Sequence, residues 1–403
     1  MKTNRISSKM LFIFFLAVMA KHSFAQLEFA FEISLQQAVD SALANSHILK
    51  NELLNVESAF LQKNRSFDPG PFELSYQRGN INSANVDYYW TINQNFGPIP
   101  LYIATLQKSR LQYRHQLTAY QISLKQLTAE VKSAYLFCQY QQSMVELKER
   151  ELLLYKQMGG ILDNKFTTDS ISPLEWAMIS ARFSELNTSY LNARDDLEIA
   201  LLKFRSLLMT DLPLKPRHHE PELYEIVKSP DTLERGHLIY TFYDMNHQVA
   251  KSEEQIAFAQ YFPEVCAGYF YQQIDGVKGF DGWQVGISVP LWIPARQATV
   301  KQAKLASEMT LSEYYYQQNK VETEIEVLLF ELNKCFRNVR LYSDEALPAA
   351  SLYYEAAASE MVSEEPDFNR FVELVSKAVE AEEKYLSSLN EYNQTAIQLE
   401  IFE

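Results

Sequence analysis

From Leu101 to Met158 the chain contains neither glycine nor proline, and within this stretch Leu127, Val131, Ala134, Cys138, Val145 and Leu152 form an apolar stripe. Residues spaced in this way lie along one side of an α-helix and make a coiled-coil seam. A helix from Leu101 to about Lys165 would be roughly 100 Å long at ~1.5 Å per residue. No compact globular domain needs such an element, so the stretch commits the chain to an elongated helical body. The rest of the sequence agrees, since 403 residues include only 11 glycines where ordinary usage would supply roughly 28. Few turns join a few long elements.

A new helix is predicted after Phe166-Thr167-Thr168-Asp169-Ser170-Ile171, because Ser172-Pro173-Leu174-Glu175 combines a capping box with proline at the first helical position. The pair is a helical hairpin with a tight tip, returning to about Leu208. Upstream, Ser34-Leu35-Gln36-Gln37 is a second capping box, and Leu35, Ala38, Val39, Ala42 and Leu43 follow on one helical face. This helix is expected to run to about Arg65, ahead of Asp68-Pro69-Gly70-Pro71. Two segments then alternate with period 2: Phe72, Leu74 and Tyr76 against Glu73, Ser75 and Gln77, then Tyr88, Trp90 and Ile92 against Asp87, Tyr89, Thr91 and Asn93. They predict a β-hairpin.

The same order recurs beyond a proline-rich stretch holding Pro213, Pro216, Pro221 and Pro230. A helix from about His237 to Tyr261 precedes Val265, Ala267, Tyr269 and Tyr271, an expected glycine-rich loop from Ile274 to Gly282, and a second alternating run of Trp283, Val285, Ile287, Val289 and Leu291. A second seam, Val321, Ile325, Leu328, Leu332, Cys335, Val339 and Tyr342, follows. An offset of 194 lays Pro69 on Pro263 and Val131, Ala134 and Cys138 on Ile325, Leu328 and Leu332. The expectation is an internal duplication, with repeats over residues 26–210 and 232–403, a linker over 211–231 and a separate leader over 1–25.

That leader places Lys2, Arg5 and Lys9 before an apolar run from Met10 to Ala20, with Ser23-Phe24-Ala25 as a cleavage site, the pattern of a secretory signal. Without Lys2, Arg5, Lys9 and Lys21, the 37 basic residues fall to 33 against 51 acidic ones, a net charge of −18. Such a surface repels phosphate backbones, so nucleic acid is excluded as a partner. Each half supplies two strands of the length that crosses a tilted bilayer. Four strands cannot close alone, so a barrel needs further copies of the chain. Tyr88, Trp90, Tyr269, Tyr271 and Trp283 fit a membrane aromatic girdle, and Glu73, Asp87, Asn93, Gln272 and Gln284 a wet lumen. The other reading is a soluble protein with two small hairpins on a helical stalk. The secretory signal and the alternation in all four strands favour the membrane.

In this order, Leu35 to Asn45 (LQQAVDSALAN), Lys165 to Arg182 (KFTTDSISPLEWAMISAR), Val285 to Ala303 (VGISVPLWIPARQATVKQA), Ala346 to Ala350 (ALPAA) and Tyr392 to Leu399 (YNQTAIQL) resemble the TolC family of outer-membrane efflux proteins. The resemblance implies a mainly α protein whose long antiparallel coiled-coil helices form a periplasmic α-barrel. Its two β-hairpins would contribute to a trimeric twelve-stranded barrel in the outer membrane of a Gram-negative bacterium. The implied function is the exit duct of a tripartite efflux system, with a periplasmic adaptor and an inner-membrane RND-type pump as partners. Val289-Pro290-Leu291-Trp292 is similar to forms that accompany heavy-metal cation pumps. Adaptor docking would fall on Phe166, Thr167, Thr168, Asp169, Ser170 and Ile171 and on Glu365, Pro366, Asp367 and Phe368, and an acidic lumen gate on Glu364, Glu365, Asp367 and Glu373. No cysteine follows the leader to carry a lipid anchor, and neither tip has the glycine frequent in relatives. The alternative is a periplasmic coiled-coil scaffold or adaptor-like protein without a channel.

No enzyme, cofactor or metal site is expected. His218-His219 lies in the linker without acidic or cysteine partners at ligand spacing, Cys138 and Cys335 fall on the seams, and Asp195-Asp196 suits a solvated helix face.

Overall fold

A computed structural model describes residues 31–166, 173–217, 222–225, 237–289, 293–363 and 367–402. The first elements are β1 (Phe31–Ile33), α1 (Leu35–Asn45), α2 (His47–Asn64), β2 (Glu73–Gly79), β3 (Asp87–Asn95), α3 (Ile99–Phe166), α4 (Pro173–Leu208) and β4 (Leu214–Pro216). After the linker come α5 (His237–Ala259), β5 (Glu264–Ile274), β6 (Val277–Ser288), α6 (Ile293–Leu341), a π-helical turn (Tyr342–Ala346), α7 (Leu347–Met361) and α8 (Phe368–Glu400). Strands β2, β3, β5 and β6 make one antiparallel sheet in that order, while β1 and β4 pair in parallel. Among the described residues no helix is long and apolar enough to cross a membrane.

Helix α3 spans 68 residues, so the long helix is a single element, and it packs on α1, α2, α4, α5 and α8. Its buried stripe serves two cores. Near β1, Val131 and Cys138 meet Ala38, Val39 and Ala42 of α1 and Phe204 and Leu208 of α4. Farther along, Leu147, Leu152, Tyr155 and Met158 meet Ala357 of α7 and Phe371, Val375 and Val379 of α8. Between these cores the stripe departs from the expected seam: Val145 is only half-buried, and Leu147 is buried instead. A helix with 3.6 residues per turn drifts away from a strict heptad, and here the drift coincides with a change of partners. On α6, Val321, Ile325, Leu328, Leu332, Cys335 and Val339 are all buried, facing Ala396, Leu399 and Phe402.

Two sequence expectations are corrected. The single helix from Leu35 to Arg65 is two, because Ser46 leaves the helical conformation (φ −63°, ψ 117°) and its side chain caps α2 by accepting from Leu49 N. A serine that offers its hydroxyl to the backbone competes with helix continuation. The glycine-rich loop is only a two-residue turn, with φ +49° at Asp275 and +79° at Gly276, so β6 starts at Val277. That pair suits a tight hairpin, and Gly279, with φ +95°, accompanies the register shift opposite Gln272 to Ile274. The helix carrying the second seam ends in a π-helical turn just before Pro348. Proline has no N–H to offer the carbonyl four residues back, and a widened turn absorbs the misfit.

Linker residues are also fixed in place. Asn393 of α8 accepts from Tyr224 N at 2.8 Å and donates to Glu222 O at 2.9 Å. Lys132 of α3 donates to Tyr224 Oη at 2.8 Å and pairs with Glu400 at 2.6 Å, and Tyr224 donates to Glu400 at 2.7 Å. His218 and His219 lie outside the described residues.

Phe371 is fully buried where α3, α7 and α8 meet. Phe371→Ala is expected to cost about 3–5 kcal/mol, as for other large-to-small core changes, read from denaturant unfolding of the purified protein. A loss below about 1 kcal/mol would mean that this core is not close-packed.

Candidate functional site

Strand alternation separates two faces of the sheet, and the register decides which residues share each. On the first face Tyr76 lies opposite Trp90, Trp90 opposite Tyr271, Ile92 opposite Tyr269, and Tyr269 opposite Trp283. Tyr88 belongs to this face as well, opposite Gln273. All five residues expected in an aromatic band are therefore brought together. Tyr76 joins them, with ring centroids 4.4 Å from Trp90, while Tyr269 and Trp283 are 5.1 Å apart. The alternation of β2 carried the signal for Tyr76, but only the register placed it beside Trp90. This face is uncovered: Trp283, Val285 and Ile287 of edge strand β6 are 82%, 79% and 68% exposed.

The second face carries Glu73, Ser75 and Gln77 of β2, Asp87, Tyr89, Thr91 and Asn93 of β3, Glu264, Cys266, Phe270 and Gln272 of β5, and Gln284 of β6. Glu73, Asp87, Asn93, Gln272 and Gln284 were all expected on the wet side and do share this face. Tyr89 and Phe270 interrupt its polarity, with ring centroids 6.2 Å apart. At its base, beside the loop before β2, is a cleft of about 860 Å³ whose lining includes the carboxylates of Asp68, Glu73 and Glu264 and no lysine or arginine. At the opposite end Asp87 is almost wholly buried and binds both hairpin tips. Its carboxylate accepts from Asn82 N at 2.9 Å and Ser83 Oγ at 2.8 Å in one loop, and from Asp275 N at 2.9 Å in the other.

The helical tips are only partly described. Phe166 ends α3, whereas Thr167, Thr168, Asp169, Ser170 and Ile171 lie outside the described residues, as do Glu364, Glu365 and Pro366. Asp367 is the N-cap of α8 and accepts from Asn369 N at 2.9 Å and Arg370 N at 3.2 Å. Phe368 is half-buried against the Phe371 core. Glu373 is exposed and pairs with Lys377 at 2.6 Å; this hydrogen bond and the lysine charge hold its carboxyl below the usual range. Two of the four expected gate acids thus already have local partners.

A charge cluster between the helical hairpins escaped the sequence reasoning. Glu151 of α3, only 4% exposed, has Lys148 at 3.5 Å and Arg182 of α4 at 3.9 Å. Lys148 also pairs with Glu383 of α8, and Arg150 binds Glu382 through both carboxylate oxygens at 3.0 and 3.2 Å. The short-range spacing of Lys148 and Glu151 looks like an ordinary surface pair. Its partners on α4 and α8 are distant in sequence, so nothing local announces them.

Solved structures share this fold across nearly the whole chain. A membrane protein from Pseudomonas aeruginosa is 14% identical, with 94% of this chain and 91% of that one covered and a TM-score of 0.77. CusC, solved in a study of folding and transmembrane channel formation, is 15% identical, with 92% of each chain covered and a TM-score of 0.74. The CmeC outer membrane channel of Campylobacter jejuni is 18% identical, with 91% of this chain and 85% of that one covered and a TM-score of 0.74. No protein-family model matches the sequence, and no curated protein matches it significantly. The chain therefore shares its fold with these proteins, one of which is described as an outer membrane channel.

Burial raises the Glu151 carboxyl above its ordinary value of 4.5, while Lys148 and Arg182 pull it partly back. The folded protein then holds this proton more tightly than the unfolded chain, so the Glu151 contribution to stability improves as pH falls from neutral toward about 4.5 and worsens as pH rises. Melting temperatures measured across that range should show the wild type gaining on Glu151→Gln as the pH drops. Parallel curves would mean that Glu151 titrates as it does in the unfolded chain.

Proposed function

We propose that this chain is the outer-membrane exit channel of a tripartite efflux system, with three copies closing a twelve-stranded barrel above a helical duct. The observation that carries the proposal is the uncovered aromatic and aliphatic face on a sheet whose two edge strands, β2 and β6, have no outer neighbour among the described residues. In water such an edge invites aggregation, and in lipid its free N–H and C=O groups are costly. Pairing β6 of one copy with β2 of the next removes both difficulties. Strands β3, β5 and β6 have 9, 11 and 12 residues, enough for a tilted crossing. The shared fold with a protein described as an outer membrane channel supports the same reading.

The duct receives its cargo from an inner-membrane pump of the RND type through a periplasmic adaptor, which docks on the tips at Phe166 to Ile171 and Glu365 to Phe368. The cargo is cationic, heavy-metal cations in particular. Support comes from the cleft lined by Asp68, Glu73 and Glu264 without a basic residue, a wall that attracts cations and repels anions. At the tip, Glu364, Glu365, Asp367 and Glu373 would appear three times around the axis as an acidic entrance.

Fractionation and crosslinking should find a heat-modifiable trimer in the outer membrane. A soluble periplasmic monomer would instead favour a coiled-coil scaffold or adaptor-like protein. Replacing Thr168 and Asp169 together with tryptophan should abolish efflux resistance while leaving the trimer and its insertion intact; unchanged resistance would rule out docking at this tip. The gate is tested by combining Glu365→Gln with Asp367→Asn, since asparagine still caps a helix. Acids within a Debye length of ~8 Å of the axis should give the wild type the higher cation selectivity in planar bilayers, and equal selectivity would remove these two acids from the gate.

A further inference from the structure

On the polar face, three successive cross-strand pairs between β5 and β6 each contain one glycine, and the strand that supplies it alternates: Cys266 opposite Gly286, Gly268 opposite Gln284, Phe270 opposite Gly282. Glycine weakens a strand interior, and a glycine there often marks the close approach of another group. Here the neighbouring side chains lie down over each one. A Cβ at Gly282 would meet the Phe270 ring at 2.9 and 3.0 Å, and one at Gly286 would meet Cys266 Sγ at 2.7 Å. Over Gly268 the neighbours come from both sides, since Gln284 of β6 donates to Asn93 of β3 at 2.5 Å across the intervening strand. A Cβ at Gly268 would strike both of these side chains. The result is a face on which a phenyl ring, a thiol and an amide pair lie flat against the sheet.

We propose that Gly268, Gly282 and Gly286 set the bore of the channel, by giving Phe270, Cys266 and the Asn93–Gln284 pair places to lie against the wall. The inference rests on the channel reading, in which this face lines the lumen. Every atom that a new Cβ would strike belongs to a side chain and none to the backbone. A methyl group at these positions therefore displaces a side chain rather than the sheet, and the only open direction is away from the wall. With three copies around the axis, each displacement narrows the lumen three times at one level. A bore cleared in this way suits hydrated or bulky solutes, whereas an upright phenyl ring at the same level would obstruct them.

The test is unitary conductance of the full-length protein in planar bilayers. Gly282→Ala should lower it by lifting Phe270, and Gly286→Ala should lower it less, because only a thiol is lifted. Combining Phe270→Ala with Gly282→Ala should restore the conductance of Phe270→Ala alone. Wild-type conductance in Gly282→Ala, or a loss that persists in the double variant, would overturn the inference while leaving the channel intact. Should Gly282→Ala fail to insert, Gly268→Ala decides by the same measurement, with a fall expected and no change fatal. Wild-type protein that forms no channel would overturn the channel reading and this inference together.

Discussion

Burial of the apolar stripe on α3 is the interaction on which the rest of the molecule depends. One 68-residue helix contributes Val131 and Cys138 to a core with α1 and α4, then Leu147, Tyr155 and Met158 to a core with α7 and α8. Because a single rigid element enters both cores, the base of the sheet and the helical tip are held in a fixed relation along its length. Polar contacts refine that relation. The Lys132, Tyr224 and Glu400 cluster and the Glu151 cluster both join α3 to α8, at two levels along the helix. Burial of the Cys138 thiol, which pushes its pKa up to about 12, suits a packing role rather than a reactive one.

What could be read from the sequence was whatever repeats locally. The capping box at Ser34 and Gln37, the buried positions of α6 and the two faces of β3 are set by residues within a few positions of one another, and the structure has them as expected. Features with distant partners were invisible: the parallel pairing of β1 with β4, the hold of Asn393 on Glu222 and Tyr224, and the approach of Glu383 to Lys148. Ser46 falls between these cases. It is visible as a residue that competes with helix continuation, yet the apolar pattern continues past it, and periodicity alone gave the helix precedence.

The candidate site divides in the same way. Alternation identified which residues share a face, whereas the register identified what they touch. Asp87 illustrates the difference, since a strand-end acid on the polar side suggests solvent but its carboxylate is committed to the backbone and side chains of two hairpin tips. From the sequence Gly282 closes the expected loop, while Gly268 and Gly286 are merely polar-side positions of alternating strands. Their pairing shows instead that they are spaces for side chains of adjoining strands.

Charge and width on the polar face therefore depend on different residues at different levels. Carboxylates of Asp68, Glu73 and Glu264 lie around the cleft at the base, while the glycines occupy the middle of β5 and β6 and the Asp87 hub lies at the far end. Strand directions in the order β2, β3, β5, β6 alternate, so in the proposed barrel β6 of one copy would run antiparallel to β2 of the next, and an even number of strands from each copy would close without a parallel seam. In such a ring, a cation leaving the helical duct would meet the carboxylates before the glycine-bearing part of the sheet. Attraction at the base would raise its local concentration, and the flattened wall beyond would leave room for its hydration shell. Either property alone would serve poorly, since acids in a narrow bore would hold a cation and a wide neutral bore would not favour one.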